Sequence, residues 1–154
     1  MRRFLLGILL LLIAFVLTGC RKRLPDTATI ETFVYETRGM AMGSETSFSI
    51  AREGDGFTVT QSSGGGQIVR TAHAGHEVGV TITDILRTHN AHAWNGFAKS
   101  DPLVLDGTSF SLFIVFDDGT TISAWGTNSY PKGLSAAVRE IQSLFDRFLS
   151  EPDQ

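Results

Sequence analysis

From Thr29 to Thr37 the side chains alternate, Ile30, Thr32 and Val34 against Glu31, Phe33 and Tyr35, in a segment rich in β-formers. Glu45 to Arg52 alternates in the same way, with Phe48 and Ile50 on one face, and Phe57 to Gln61 reads as its partner strand. Gly54-Asp55-Gly56 lies between them. An Asp-Gly pair suits a tight hairpin because such a turn needs positive φ, which glycine adopts freely and aspartate tolerates. Arg38 to Ser44 reads as a loop, and Ser62 to Gly66 as a polar connection. Gln67 to His73 and Glu77 to Ile82 are expected to form a further pair of strands.

The period then changes. Thr81-Ile82-Thr83-Asp84 resembles a capping box, and Ile85, Leu86 and His89 follow at helical spacing, which predicts a short helix over 83–91. Trp94-Asn95-Gly96-Phe97 should close it with a turn that drops two aromatics toward the body. The clearest hairpin comes next: Phe110 to Phe116, Asp118-Gly119, then Thr120 to Trp125. Because Phe113 and Val115 make the second face of its first strand apolar as well, the pattern predicts a central strand covered on both sides. After Tyr130-Pro131, Leu134, Val138, Ile141, Phe145, Phe148 and Leu149 fall on one helical stripe, with Arg139, Glu140, Asp146 and Arg147 between them. Mixed charges on its polar side suit a helix packed on a domain better than one lying on a membrane. Strands in series joined by Asp-Gly turns pair antiparallel. The expected fold is α+β: a twisted antiparallel sheet of about five or six strands with two packed helices.

The first 19 residues stand outside that domain. Arg2 and Arg3 precede an apolar run from Phe4 to Leu17, shorter than the roughly 20 residues a transmembrane helix needs, and Thr18 and Gly19 follow. The tetrapeptide Leu17-Thr18-Gly19-Cys20 resembles a lipobox, the site at which bacterial lipoproteins are diacylated on sulfur and cleaved. That resemblance implies a signal peptide over 1–19 and a lipid on Cys20. A short basic linker over 20–28, a single domain over 29–150 and a tail over 151–154 would follow. The protein would then sit on the exported side of a cell membrane or outer membrane. Arg21, rather than aspartate, after the cysteine resembles lipoproteins sent on to an outer membrane.

Cys20 is the only cysteine, so the domain has no internal disulfide and must rest on a hydrophobic core. Loss of residues 1–19 removes two arginines and no acid, taking the formal charge from −3 to −5. A mildly acidic body argues against nucleic acid as a partner. Arg21, Lys22 and Arg23 are the local exception. Beside the lipid they either meet anionic head groups, at about 1 kcal/mol each, or serve as solvated linker charges.

Candidate chemistry is sparse. There is no G-x-S-x-G, no H-E-x-x-H, no C-x-x-C, and Gly64-Gly65-Gly66 lacks the lysine and helix of a phosphate loop. Asp55, Asp106 and Asp118 each precede a glycine, as turn residues do. Trp94 and Trp125 suit either a core or a ligand pocket, the core being the commoner use of such aromatics. The histidines fall into two H-x-x-H pairs, His73/His76 and His89/His92. On a helix, i and i+3 share a face, so His89 and His92 are candidate ligands for zinc or copper, with His73 and His76 completing the set if the pairs converge.

Two family resemblances bear on function. From Ile85 to Phe148, the order helix, Trp94-Asn95-Gly96-Phe97, Leu105-Asp106-Gly107, Asp117-Asp118-Gly119, Trp125-Gly126-Thr127-Asn128-Ser129-Tyr130-Pro131 and amphipathic helix resembles a recurrent domain of small exported bacterial proteins. It implies a fold and no activity. Tyr35-Glu36-Thr37-Arg38-Gly39-Met40-Ala41-Met42-Gly43 is similar to the strand and glycine loop that open emfourin-type inhibitors of thermolysin-like metallopeptidases. Met40 stands where those have a second glycine. The similarity implies that Arg38, Met40 and Met42 contact a partner. The sequence thus leads to a non-catalytic, membrane-anchored binding or structural module of one domain, with the membrane and another envelope protein as the expected partners. A protease inhibitor and a metal-binding lipoprotein are the alternatives.

Overall fold

A computed structural model describes Leu24 and residues 27–39, 41, 43–101, 103 and 107–150; Cys20, Met40, Met42 and Asp106 lie outside the described residues. The strands are β1 (Ile30–Arg38), β2 (Thr46–Glu53), β3 (Gly56–Ser63), β4 (Ile68–Ala74), β5 (Ala98–Ser100), β6 (Ser109–Phe116) and β7 (Thr121–Thr127). The helices are α1 (His76–Thr88) and α2 (Leu134–Ser150), with a 3-10 turn at Ala91–Trp94. They build one seven-stranded sheet in the order β4-β3-β2-β1-β6-β7-β5. The α+β class holds, with two differences from expectation. Among the described residues there are seven strands, with β5 added while the expected strand over 77–82 is helix, and the sheet is mixed, because β5 pairs with β7 in parallel.

Alternation explains which strand face is buried. Phe33 and Tyr35, Phe48 and Ile50, Phe57 and Val59, then Phe110, Leu112, Ile114 and Phe116 all turn to one side and form the core with both helices. The stripe expected over α2 is present. Leu134, Ile141 and Phe145 are buried, while Val138, Phe148 and Leu149 pack at its margin.

Two turns show where positive φ is needed. Between β2 and β3 the residue with positive φ is Gly54, at 60°, so the glycine before Asp55 makes this two-residue hairpin possible, not the one after it. Between β6 and β7, Gly119 has φ 78°, and the Asp118 carboxylate accepts the Thr120 N–H at 2.8 Å. Aspartate and glycine there divide the turn's work as the sequence suggests.

The segment 77–82 is helix, not strand, and α1 begins at His76 rather than near Thr83. The valines of this stretch favour a strand locally, and its glycine disfavours a helix. Tertiary packing overrides them, because Val78, Gly79, Ile82, Thr83 and Leu86 make one buried helical stripe. No side chain caps the helix at Gly75. The threonines read as a capping box do other work: Thr81 and Thr83 donate to the Glu77 and Gly79 carbonyls, and the buried Thr83 hydroxyl also accepts the Ile30 N–H at 3.0 Å. That last bond fixes the start of β1 against α1.

The chain ahead of β1 is held at the same end. Leu24 is 7% exposed and joins the core. The Arg87 guanidinium donates to the Ala28 carbonyl at 2.7 Å, and Thr29 and Asp117 exchange bonds of 3.0 and 2.9 Å.

Candidate functional site

Both helices lie on one face of the sheet, so every second side chain of the strands points the other way. The registers line these up in rows. The middle row runs Thr71, Thr60, Ser49, Val34, Phe113, Ser123, and the next runs Val69, Ser62, Ser47, Glu36, Ser111, Trp125. A third runs His73, Thr58, Ala51, Thr32, Val115, Thr121. Serine and threonine make up more than half of these positions, and none is lysine or arginine. Exposed faces of sheets are commonly furnished with long charged side chains; this one is not.

Two large aromatics stand in that face. Phe113 is 46% exposed and Trp125 51%. They are diagonal neighbours across the β6–β7 pair, since Phe113 is opposite Ser123 and Trp125 is opposite Ser111. The expectation of a strand covered on both sides is therefore corrected. β6 is central in the sheet, but its second apolar face meets no layer of described residues. Trp94 does what a core tryptophan does, buried to 1% exposure with its Nε1 donating to the Lys132 carbonyl at 2.9 Å. Trp125 does not.

Beside Trp125, toward the β1–β2 loop, the face sinks into a trough of about 440 Å³ whose lining includes Glu36, Arg38, Glu45, Ser47, Ser62 and Ser111. That volume falls within the range of small-molecule sites. Its floor is small because serines occupy it. Ser47 and Ser62 share a hydrogen bond of 2.8 Å, and the Ser111 hydroxyl donates to the Glu36 carboxylate at 3.4 Å. Arg38 closes the far end, its Nε 2.8 Å from the Glu45 carboxylate. Glu36 is exposed and faces the trough, and among the described residues no cation pairs with it. Its ionised oxygens only accept, so the trough favours donors.

Behind the trough, Tyr35, Phe110 and Tyr130 stack, with ring centroids 6.2 Å apart for the first pair and 5.1 Å for the second. Burial, assisted by neighbouring Tyr130, pushes the Tyr35 phenol up to about 12. The folded state keeps this proton when an unfolded chain, with a value near 10.0, would release it. Stability from this site is therefore full below pH 10, declines above it and is lost as pH rises through 12. Urea midpoints should fall over that window, and Tyr35→Phe should flatten the fall.

The histidines do not come together. His73 lies on β4, its Nδ1 3.4 Å from the Thr58 hydroxyl, while His76 opens α1. His89 is the C-cap of α1 and binds Glu140 at 2.8 Å. His92 lies beyond Asn90, whose φ of 59° ends the helical path, so His89 and His92 do not share one helix face as the spacing suggests. Among the described residues no group of three or more His, Cys, Asp or Glu side chains is placed to hold a metal ion. Of the three expected partner contacts, Arg38 lines the trough, while Met40 and Met42 lie outside the described residues.

Glu36 and Ser111 were not singled out as site residues by the sequence, and Trp125 was weighed for a ligand pocket only behind a core role. A signal for them existed. Ser47-Phe48-Ser49 and Thr58-Val59-Thr60 put hydroxyls at every second position, and Phe113 interrupts them with an apolar residue on the same face. No family model, no curated protein and no solved structure matches this chain.

Proposed function

We propose that this protein is a lipid-anchored, non-catalytic binding module of the bacterial envelope, and that the open sheet face is its working surface. The observation that carries the second half is the exposed Phe113–Trp125 pair among three rows of side chains that hold no lysine or arginine, the rim cation Arg38 being paired with Glu45. Contiguous exposed apolar groups are a feature of binding surfaces, and tryptophan is enriched among the residues that carry interface energy. The first half rests on the ordered arginines, apolar run and Leu17-Thr18-Gly19-Cys20.

The geometry gives the two halves a common sense. Because Leu24 belongs to the core, only four residue steps separate it from a lipid on Cys20. Such a span reaches about 14 Å at most. β1 then leads from that end to Glu36 and Arg38, about 20–26 Å away along the strand at its rise of ~3.3 Å per residue. On this reading the lipid holds the base of the sheet close to the membrane, and the trough is presented away from it.

Cys20→Ala tests the anchor. The variant should incorporate no palmitate analogue in cells and should run at the precursor mass, because neither thioether formation nor cleavage can proceed. Lipid incorporation at the wild-type level would remove the assignment.

A further inference from the structure

We infer that the trough and Trp125 form a binding site for a neutral, β-linked pyranose chain, the chemistry of a cell-wall glycan strand. The inference rests on the reading of the open face as the working surface and names what that surface takes.

Charge narrows the ligand class first. A nucleic acid or other polyanion needs cations to replace its counterions. The rows of the open face carry none, Arg38 at the rim is held by Glu45, and Glu36 repels anions. What the row offers instead is a planar apolar plate followed by hydroxyls and one acceptor carboxylate: Trp125, Ser111, Glu36, Ser47, Ser62. A pyranose ring matches both parts. Its C–H face is flat and apolar and suits an indole, while its equatorial hydroxyls donate at the rim, where Glu36 can only accept.

Dimensions agree. Neighbouring strands lie about 4.8 Å apart, so the row from Trp125 to Ser62 spans about 19 Å over four steps. A β-linked pyranose chain is extended and ribbon-like and advances by about one strand spacing per ring. It can lie across the strands, with one ring on Trp125 and the following rings over Ser111, Glu36 and the paired serines. An extended peptide in this position would run its side chains against a floor of serines with little for them to fill. An apolar protein surface would desolvate the Glu36 carboxylate with only the long Ser111 bond to offset it, and a buried polar group left short of partners costs about 1–3 kcal/mol. Those two occupants are less well served than the glycan.

The two tryptophans make the test direct. Trp94 is buried and Trp125 exposed, so a ligand on the open face changes the emission of Trp125 alone. The full-length protein in detergent micelles is titrated with the β-1,4-linked tetramer of N-acetylglucosamine, and with the α-1,4-linked glucose tetramer, whose chain curls. A saturable blue shift with the first, at least about tenfold weaker with the second, is expected. Trp125→Ala should abolish the calorimetric heat of binding, and Glu36→Gln should weaken binding about tenfold, the loss expected for one charged hydrogen-bond acceptor. Both positions are exposed, and unchanged thermal melting confirms that neither variant has unfolded. No saturable response, equal response to the curled chain, or binding unaffected by both substitutions would each overturn the glycan site. A protein crosslinked in cells to position 113, with no response to the saccharide, would overturn the glycan and leave the working surface standing.

Discussion

Phe145→Ala will cost about 3–5 kcal/mol of stability, while Phe113→Ala will cost about 1 kcal/mol or less. The two residues are the same chemical type in opposite situations. Phe145 is fully buried in α2 and meets Phe48 edge-on, with ring centroids 5.9 Å apart and planes at 70°. Its removal loses the transfer free energy of a whole ring, leaves a cavity among Leu144, Ile141 and the sheet, and forfeits an aromatic pair contributing about 0.5–1.5 kcal/mol. Phe113 keeps 46% of its surface in water, so truncation gives up only part of a ring and opens no cavity. Urea denaturation of both variants reads the difference directly. Near-equal losses would mean that the face holding Phe113 is covered in solution, and the one-sided sheet would be the wrong description.

The second large effect is expected at Gly126, where the chain has no room for a side chain. A Cβ there would collide with the Ser129 carbonyl oxygen and stand 2.7 Å from Cε1 of Phe110 and 3.1 Å from the Lys99 carbonyl oxygen. Two of the three obstacles are backbone, and Gly126 is held between β6, opposite Phe110, and β5, opposite Lys99. A flexible side chain could swing aside; the Lys99 carbonyl is held in the β5–β7 pairing, and the Ser129 carbonyl moves only with its backbone. Gly126→Ala should therefore destabilise at the upper part of the overpacking range, about 2–3 kcal/mol. The same strain would be felt one residue away by Trp125. A thermal melt of Gly126→Ala within a degree or two of the wild type would contradict this packing.

What could be read from the sequence follows from how local each signal is. The β1, β2, β3, β6 and β7 strands and α2 were legible because their patterns are complete within one segment: strict alternation around Phe48 and Ile50, or a stripe from Leu134 to Leu149. α1 was displaced because its first turns, His76 to Val80, are locally strand-like and become helical only by packing Val78 and Gly79 on the sheet. Gly79 is part of that fit, since a Cβ there would meet the Phe57 ring. β5 is three residues long and pairs in parallel with β7, an arrangement no turn signal announces.

The site was legible only in pieces. Apolar residues at Phe113 and Val115 said that the second face of β6 is unusual, but one strand cannot say whether a layer covers it. That depends on where α1 and α2 pack, and both chose the other side. Trp125 was weighted toward the core, with a ligand pocket as the alternative, by the same reasoning that placed Trp94. Its partners in the trough come from β6 and from β1, β2 and β3, the last three brought beside it by the long-range β1–β6 pairing of Glu36 with Ser111. The histidine pairs illustrate the converse. Their spacing is regular in sequence, yet the end of α1 at His89 and the left-handed Asn90 separate them in space.

The claim on which the account turns is that the open face, and not the helical face, meets a partner in the envelope. A photo-crosslinking residue placed at position 113, and separately at the exposed Ser143 of α2, measures this in living cells with the lipid anchor intact. Crosslinked species from position 113, whether wall glycan or protein, and none above background from position 143 are predicted. Crosslinks from position 143 with none from position 113 would contradict the account, because the working surface would then be the helices.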